Sequence, residues 1–224
     1  MSVFLEYPDR QALFAGLTRC VADELRGKLK TGPATLAVPG GATPGPFFEA
    51  LRREEMDWKS VRVMLTDERF VPETAPRSNT RLLRDTLFRD RAAAAVLVPL
   101  YAEGNAPEDV LQGINNGVKG ALPLTTCVLG MGEDMHTASL FPGADRLAEA
   151  LSDDAPPVLP MRAEGAGEPR LTLTAPALLG AGFLHILITG QAKREAYARA
   201  RSGGPVAEAP VRAILPRATV HWSA

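Results

Sequence analysis

The segment from Val128 to Pro142 carries the residues whose types and order best fit catalytic chemistry. An apolar run ends in two glycines, which are followed by an acidic pair that includes Asp134 and then by His136. Histidine is the one side chain whose ordinary pKa, about 6.5, lets it take and give a proton near neutral pH. We expect His136 to act as a general acid and base at the end of a buried strand, with Asp134 orienting its ring. The alternative is a structural histidine that is hydrogen-bonded within a turn.

A glycine-rich turn, Pro39 to Pro44, joins a predicted strand to a predicted helix. Gly40 and Gly41 let backbone N–H groups approach an anion, and the start of a helix favours negative charge. Thr43 is predicted to cap the helix and Pro44 to occupy its first position. The turn therefore predicts a phosphate site, and the alternative is an ordinary tight turn.

Two basic residues stand where strands begin or end. Lys193 falls in the first turn of a predicted helix that follows a strand ending at Gly190, so its charge opposes the helix dipole. A bound anion would explain that position. Arg170 opens another strand, and its planar fork of donors suits a phosphate group. The alternatives are a solvated lysine and a surface ion pair.

Three charged residues, Asp67, Glu68 and Arg69, directly follow the predicted strand at 61–65. Solubility alone does not require three charges at this place, so Asp67 and Arg69 are candidates for the same pocket. The alternative is a solvated turn, because charged residues prefer the surface in general.

Other polar residues are predicted to be structural. Ser78 and Asn79 are expected to cap a helix, His185 to be a satisfied core residue within an apolar strand, and His221 to be structural near the end of the chain. The histidines lack the spacing of a metal site, and no Gly-x-Ser-x-Gly segment is present. We therefore expect no metal and no serine nucleophile.

Alternating strands and helices must position these residues. Short apolar runs predict buried strands, and apolar residues three or four positions apart predict amphipathic helices. The predicted strands are 34–38, 61–65, 96–100, 127–129, 170–174 and 183–190. The predicted helices follow Asp9 and Thr43 or lie at 78–88, 108–122, 175–179 and 191–201. Segments 152–160 and 163–168 are predicted loops, and 211–215 with 218–222 closes the chain as a last helix turn or strand.

This order of elements predicts one α/β domain spanning residues 1–224, with a mostly parallel sheet covered by helices on both faces. Ligands in such folds bind beyond the carboxyl ends of the strands. The candidate residues fall at these ends, so we expect them to share one pocket.

Composition excludes some classes of function. The 224 residues are 46% hydrophobic, and a formal net charge of −1 gives no basic excess for nucleic acid. No apolar run approaches the roughly 20 residues of a membrane span, and no signal peptide is predicted. Cys20 and Cys127 are predicted to be two buried thiols in a reducing cytoplasm. We expect a cytoplasmic protein without nucleic-acid or membrane partners.

Together these segments resemble the 6-phosphogluconolactonase family, which shares its fold with the glucosamine-6-phosphate deaminases. The matching blocks cover most of residues 9–222 and lie at 39–44, 67–72 with 78–79, 129–142, 170–174 and 190–193. The most specific block is 136–142, His-Thr-Ala-Ser-Leu-Phe-Pro. The deaminases end differently after the shared histidine, with an acidic residue that this chain lacks.

The resemblance implies a modified Rossmann-like fold and hydrolysis of 6-phospho-D-glucono-1,5-lactone in the oxidative pentose phosphate pathway, without metal or organic cofactor. By the family pattern, His136 is the general acid and base. Asp67 and Arg69 match further pocket positions. The phosphate-binding positions of the family match Gly40, Gly41, Thr43, Arg170 and Lys193.

One residue departs from the family pattern, because Met135 stands where the family usually has a glycine. If this position takes a positive φ, a methionine strains the turn or shifts His136. Two other functions stay open. One is deamination or isomerisation of an amino-sugar phosphate, with Asp67 as a possible base, and the other is binding of a sugar phosphate without turnover. The expected partner is a small phosphosugar, and the expected state is a monomer or a weak homodimer.

Overall fold

The computed structural model describes residues 3–224, and that part of the chain forms ten strands and seven α-helices. The strands are β1 (Val3–Glu6), β2 (Ala34–Val38), β3 (Val61–Leu65), β4 (Asp67–Arg69), β5 (Val96–Leu97), β6 (Thr126–Leu129), β7 (Val158–Met161), β8 (Arg170–Leu173), β9 (Phe183–Thr189) and β10 (Thr219–Ser223). The helices are α1 (Arg10–Leu29), α2 (Gly45–Leu51), α3 (Asn79–Thr86), α4 (Pro107–Lys119), α5 (Leu147–Ala150), α6 (Ala175–Leu179) and α7 (Gln191–Arg201). Short 3₁₀ segments lie at 58–60, 90–94, 206–208, 210–213 and 215–217.

Seven of the strands form one parallel sheet in the order β1-β10-β9-β6-β2-β3-β5. Every residue of β2 and β6 is buried, which requires cover on both faces of the sheet. The remaining strands form a small antiparallel sheet in the order β4-β8-β7. The predicted α/β fold with a mostly parallel sheet is confirmed.

Helix α1 shows how the apolar pattern becomes packing. Asp9 caps it as predicted, because its carboxylate accepts a hydrogen bond of 2.7 Å from the N–H of Ala12. Leu13, Leu17 and Val21 recur every four residues, and all three are fully buried. Their shared face packs against the sheet, mainly along β2 and β10.

The structure corrects the predicted elements at several points. The predicted loop at 152–160 ends in β7, whose Pro160 pairs with Leu171 of β8. Because β7 is the edge of the small sheet, the missing N–H of Pro160 costs no bond on its open side. The predicted strand at 96–100 shortens to two residues, 218–222 resolves to β10, and β1 was not predicted.

The two cysteines differ in their surroundings. Cys127 is fully buried in β6, and burial raises the pKa of its thiol. Cys20 is only half-buried on α1, so the prediction of two buried thiols is wrong for Cys20. No helix within residues 3–224 has the length and apolarity that crossing a bilayer requires.

Candidate active site

A cleft of about 390 Å³ opens beyond the carboxyl ends of β2, β6 and β9, where ligands bind in parallel α/β sheets. Asp134 does not line the cleft and instead contacts a residue that does. Every other predicted site residue lines it: Gly40, Gly41, Thr43, Asp67, Arg69, His136, Arg170 and Lys193.

His136 reaches the cleft with its ring fixed by a carboxylate. Its Nδ1 atom lies 2.6 Å from Oδ1 of Asp134. Because a carboxylate only accepts, Nδ1 carries the proton and Nε2 of the neutral ring is left unprotonated. The hydrogen bond from His136 holds the pKa of Asp134 below its ordinary value. The ring also packs against Phe141, with ring centroids 4.4 Å apart, so the ring has a defined direction.

Gly132 lies directly against the side chains of Asp134 and His136. A Cβ atom at Gly132 would overlap both the Asp134 carboxylate and the His136 ring. Its N–H also donates to the carbonyl of His136 over 2.9 Å, which closes the turn. The glycine is therefore needed for close approach of the two side chains.

Met135 has φ +66°, so the backbone at this position takes the left-handed conformation in which a methionine was expected to strain the turn or shift His136. An L-residue pays roughly 1–2 kcal/mol for this conformation. The N–H of Met135 donates to the carbonyl of Gly132 over 3.1 Å, and its carbonyl accepts from Val211 over 3.2 Å. The turn keeps the hydrogen bond between Asp134 and His136 in spite of the methionine.

The three charges after β3 divide between two directions, because they form the short strand β4. Asp67 and Arg69 face the cleft, whereas Glu68 is 1% exposed and points away from it. The Glu68 carboxylate accepts from the N–H groups of Asn79 and Thr80, over 2.8 and 2.6 Å, at the start of α3. Glu68 therefore ties β4 to α3.

Asp67 is held rigidly at the floor of the cleft. Its Oδ2 atom accepts a hydrogen bond of 2.5 Å from Oγ of Ser139. The amide of Asn79 donates to the backbone carbonyl of Asp67 over 3.1 Å and packs so closely on Gly40 that a Cβ there would overlap it. Ser139 and Asn79 are site residues that the sequence patterns did not predict.

Only one of the two predicted caps of α3 is a cap. Oγ of Ser78 accepts from the N–H of Arg81 over 3.2 Å, so Ser78 caps the helix. Asn79 is the first residue of α3 and lines the cleft. No sequence spacing links Asn79 to Gly40, so their contact emerges only from the fold.

Arg170 is a buried cation at the cleft. It is 7% exposed, and burial lowers the pKa of its guanidinium. Its Nη2 donates to the carbonyl of Ala166 over 2.7 Å and its Nε to that of Glu168 over 3.3 Å. These bonds aim the guanidinium without neutralising it.

Arg69 and Lys193 complete the positive side of the cleft. Nη1 of Arg69 donates to the carbonyl of Arg77 over 2.7 Å, while its buried Nε has no partner within residues 3–224. Lys193, in the first turn of α7, makes no hydrogen bond or ion pair with any described residue. With Arg170, three cations line the cleft against one carboxylate, that of Asp67, so the cleft favours an anion.

The glycine turn after β2 differs from its prediction in one respect. Gly41 has φ +85°, which glycine adopts without strain. Helix α2 begins at Gly45 with Pro44 in the cap position, so the predicted capping by Thr43 is wrong. Thr43 is exposed and lines the cleft, which leaves its hydroxyl available to a ligand.

The other two histidines are buried. They lie in a chain of hydrogen-bonded polar side chains that runs from Tyr7 through His221 and His185 to Glu24, and the two ends of the chain are partly exposed. Nε2 of His185 donates to Glu24 over 3.0 Å, its Nδ1 lies 3.0 Å from Nε2 of His221, and Nδ1 of His221 lies 2.9 Å from the Tyr7 hydroxyl. Burial, together with His185, lowers the pKa of His221 to about 3. His185 is the satisfied core residue that was predicted. His221, which was predicted only to be structural, is buried and hydrogen-bonded as well.

No three of the His, Cys, Asp and Glu side chains in the described part of the chain gather as a metal site would need. The expected absence of a metal and of an organic cofactor stays a prediction.

Known proteins match this chain over nearly its whole length. Residues 8–222 match the family described as "Glucosamine-6-phosphate isomerases/6-phosphogluconolactonase". A 6-phosphogluconolactonase of Rhizobium meliloti (strain 1021) is 46% identical over 221 residues, covering 93% of this chain and 95% of that protein. A 6-phosphogluconolactonase of Mesorhizobium japonicum is 45% identical over 224 residues, covering 97% of this chain and 93% of that protein. The crystal structure of a 6-phosphogluconolactonase from Shewanella baltica OS155 superposes with a TM-score of 0.97 at 31% identity and covers 100% of this chain and 98% of its own.

Proposed function

The chain belongs to the glucosamine-6-phosphate isomerase/6-phosphogluconolactonase family, and we propose that it hydrolyses 6-phospho-D-glucono-1,5-lactone to 6-phospho-D-gluconate with His136 as general acid and base. One observation carries the proposal: the Asp134-bound His136 faces a cleft with three cations. A proton carrier and an anion site within one cleft suit a phosphorylated substrate whose reaction moves protons. The match over residues 8–222 supports treating residues 1–224 as one domain.

The phosphate group of the substrate would bind at the positive side of the cleft. Arg170 and Lys193 supply charge there, and the turn with Gly40, Gly41 and Thr43 supplies N–H groups and a hydroxyl. Arg170 is held by two backbone carbonyls, so its fork of donors is directed before the substrate arrives. Binding of the phosphate would fix the lactone carbonyl within reach of His136.

The first chemical step is attack of water on C1 of the lactone. Nε2 of His136 takes a proton from the water while the oxygen of the water bonds to C1, and the carbonyl electrons move onto its oxygen. Asp134 stabilises the resulting imidazolium through the hydrogen bond at Nδ1. Arg69, a cation that lines the cleft, is available to stabilise the oxyanion.

The second step breaks the ring. The oxyanion re-forms the carbonyl, the bond between C1 and the ring oxygen breaks, and the imidazolium of His136 gives its proton to the departing oxygen. Proton transfer of this kind contributes typically about 10²–10⁴-fold to rate. Asp67, held by Ser139, is placed to accept a hydrogen bond from a sugar hydroxyl.

The direct test is hydrolysis of freshly generated 6-phosphogluconolactone, coupled to 6-phosphogluconate dehydrogenase, with spontaneous opening subtracted. We expect the wild-type chain to exceed the spontaneous rate clearly. Ammonia release from glucosamine 6-phosphate, assayed alongside, should be absent. A folded protein that opens the lactone no faster than buffer would defeat the proposal, and ammonia release would instead favour the deaminase function.

The phosphate site has its own test in Lys193→Ala. Because Lys193 is a charged group without a protein partner, its loss should raise KM for the phosphorylated lactone by about 10-fold, the effect of one charge-assisted hydrogen bond. D-Glucono-1,5-lactone, which lacks the phosphate, serves as the control substrate. An equal loss with both lactones would show that Lys193 does not bind the phosphate.

A further inference from the structure

Two peptide groups of the turn that carries His136 are held from outside the turn. The carbonyl of Glu133 accepts a hydrogen bond of 2.8 Å from Nη2 of Arg199. The carbonyl of Met135 accepts one of 3.2 Å from the N–H of Val211. Because each peptide group is planar, these bonds fix the planes that lead into Asp134 and into His136.

Arg199 is an exposed residue of α7 whose guanidinium donates to the backbone carbonyl of Glu133. Within residues 3–224 it forms no ion pair with a carboxylate. Its helix also carries Lys193, which lines the cleft at the other end of the same rigid element. Helix α7 thus touches both the positive side of the cleft and the turn with His136.

The two external bonds come from one connected unit. Arg212, next to Val211, donates to the carbonyls of Ala200 and Arg199 at the end of α7, over 3.0 and 3.2 Å. It also donates to the carbonyl of Pro205 over 2.9 Å. The unit of α7 and the segment 205–212 therefore presents the N–H of Val211 and the guanidinium of Arg199 together.

The turn needs this support because of Met135. A positive φ is unfavourable for methionine, so the isolated turn would favour other backbone conformations, and these would move His136 relative to the cleft. Strained backbone persists where the surrounding structure holds it in place. The bonds from Arg199 and Val211 fall on either side of Met135 and oppose that relaxation.

We propose that Arg199 is a positioning residue for the hydrolysis proposed above: by binding the carbonyl of Glu133 it holds the Asp134–His136 pair in its reactive orientation. The inference rests on that proposed function. Arg199 touches neither the cleft nor the reacting atoms, so its loss should lower kcat and leave KM nearly unchanged.

The test compares Arg199→Met, which keeps the aliphatic stem, with Arg201→Met on the same helix. Arg201 is exposed and lies over the ring of Tyr197 at 5.7 Å, away from the turn. We expect Arg199→Met to lower kcat about 3- to 10-fold, the effect of one net hydrogen bond, with KM within about 2-fold. Arg199→Lys should recover part of kcat, and Arg201→Met should match the wild type.

A second background separates positioning from general structural support. Glycine adopts a positive φ freely, so in a Met135→Gly protein the further change Arg199→Met should cost less than about 2-fold in kcat. An active wild type with equal kcat in Arg199→Met would overturn the inference alone. The same follows if the loss is undiminished in the Met135→Gly background. An inactive wild type would overturn the proposed function and this inference with it.

Discussion

His136 and His185 each hydrogen-bond a carboxylate, yet their surroundings are opposite. Nδ1 of His136 lies 2.6 Å from Oδ1 of Asp134, and the His136 side chain is 30% exposed at the cleft. Nε2 of His185 lies 3.0 Å from Oε1 of Glu24, and the His185 side chain is 6% exposed. Both ring nitrogens of His185 have partners, whereas Nε2 of His136 has none among the described residues. A free ring nitrogen at a cleft therefore distinguishes the pair that we propose to be reactive, His136 and Asp134, from the structural pair.

The backbones that carry the two histidines differ in the same way. His185 lies within β9, where hydrogen bonds to two neighbouring strands set its direction. His136 follows a residue with positive φ in a turn that is held by bonds from α7 and from residue 211. The structural pair is positioned by the regular sheet, and the reactive pair depends on a few individual contacts.

The largest expected effect separates the two histidines by activity. His136→Ala should lower kcat by about 10²–10⁴-fold while substrate still binds, because a general acid and base is lost. His185→Gln, which keeps a donor towards Glu24, should retain kcat and lower the melting temperature instead. Steady-state kinetics and thermal unfolding of both variants check this. Loss of binding with intact turnover in His136→Ala would contradict the assigned role.

The next substitution displaces Asp134 and His136 from each other without changing either side chain. Gly132→Ala places a methyl group where Asp134 and His136 now meet, and a misplacement of about 1 Å can cost about 10²-fold in rate. We expect kcat to fall by that order. Gly113→Ala is the control, because Gly113 lies on the exposed face of α4 and a Cβ there meets nothing within 4 Å. Equal kcat in the two variants would show that the pair tolerates displacement.

A smaller effect is expected from the carboxylates. Asp134→Asn leaves an acceptor for Nδ1 but removes the charge that stabilises the imidazolium. We expect kcat to fall about 10- to 100-fold, as for carboxylates that orient metal-bound histidines. Glu24→Gln, at the buried pair, should leave kcat near the wild-type value and reduce stability. If both substitutions affect only stability, Asp134 has no part in proton transfer.

The smallest effect concerns pH. The folded-state pKa of His221 is lowered to about 3 by burial beside His185, and the unfolded chain, with an ordinary pKa of about 6.5, binds more protons between these values. The free energy of unfolding should therefore fall as pH drops below about 6.5, by up to about 1.4 kcal/mol per pH unit from this group.

Denaturant unfolding of the wild type and His221→Gln between about pH 7.5 and 4.5 measures this slope. The variant should lose less stability on acidification than the wild type, with unchanged kcat at neutral pH. Parallel curves for the two proteins would remove His221 as the source of the slope.

The sequence was sufficient to predict most strands of the parallel sheet, its main helices and the charged or titratable residues of the cleft. Strand ends in a parallel sheet share one edge, so chemistry-bearing residues at 39–44, 67–69 and 136 were bound to meet. The specific block around His136 identified the family. The family glycine showed only that a positive φ at Met135 would matter, and the structure shows that this conformation is adopted.

What could not be predicted depends on contacts between distant segments. β7 contains Pro160 and follows an acidic, proline-rich stretch, so its sequence resembles a loop. Only its pairing with β8 makes it a strand. Asn79 contacts Asp67 and Gly40, Ser139 donates to Asp67, and Arg199 donates to the carbonyl of Glu133. No periodicity or spacing in the sequence connects the members of these pairs. Thr43 was misassigned as a cap because the helix begins later than local propensity suggests.

The walls of the cleft come from separate stretches of chain between Pro39 and Lys193. In a parallel sheet, neighbouring strands are distant in sequence, so long loops must close before any two walls meet. Catalysis after dilution from denaturant should therefore return as a single late event and not in parts. The time course of regained turnover, compared with that of far-UV circular dichroism, therefore reports when the sheet is complete.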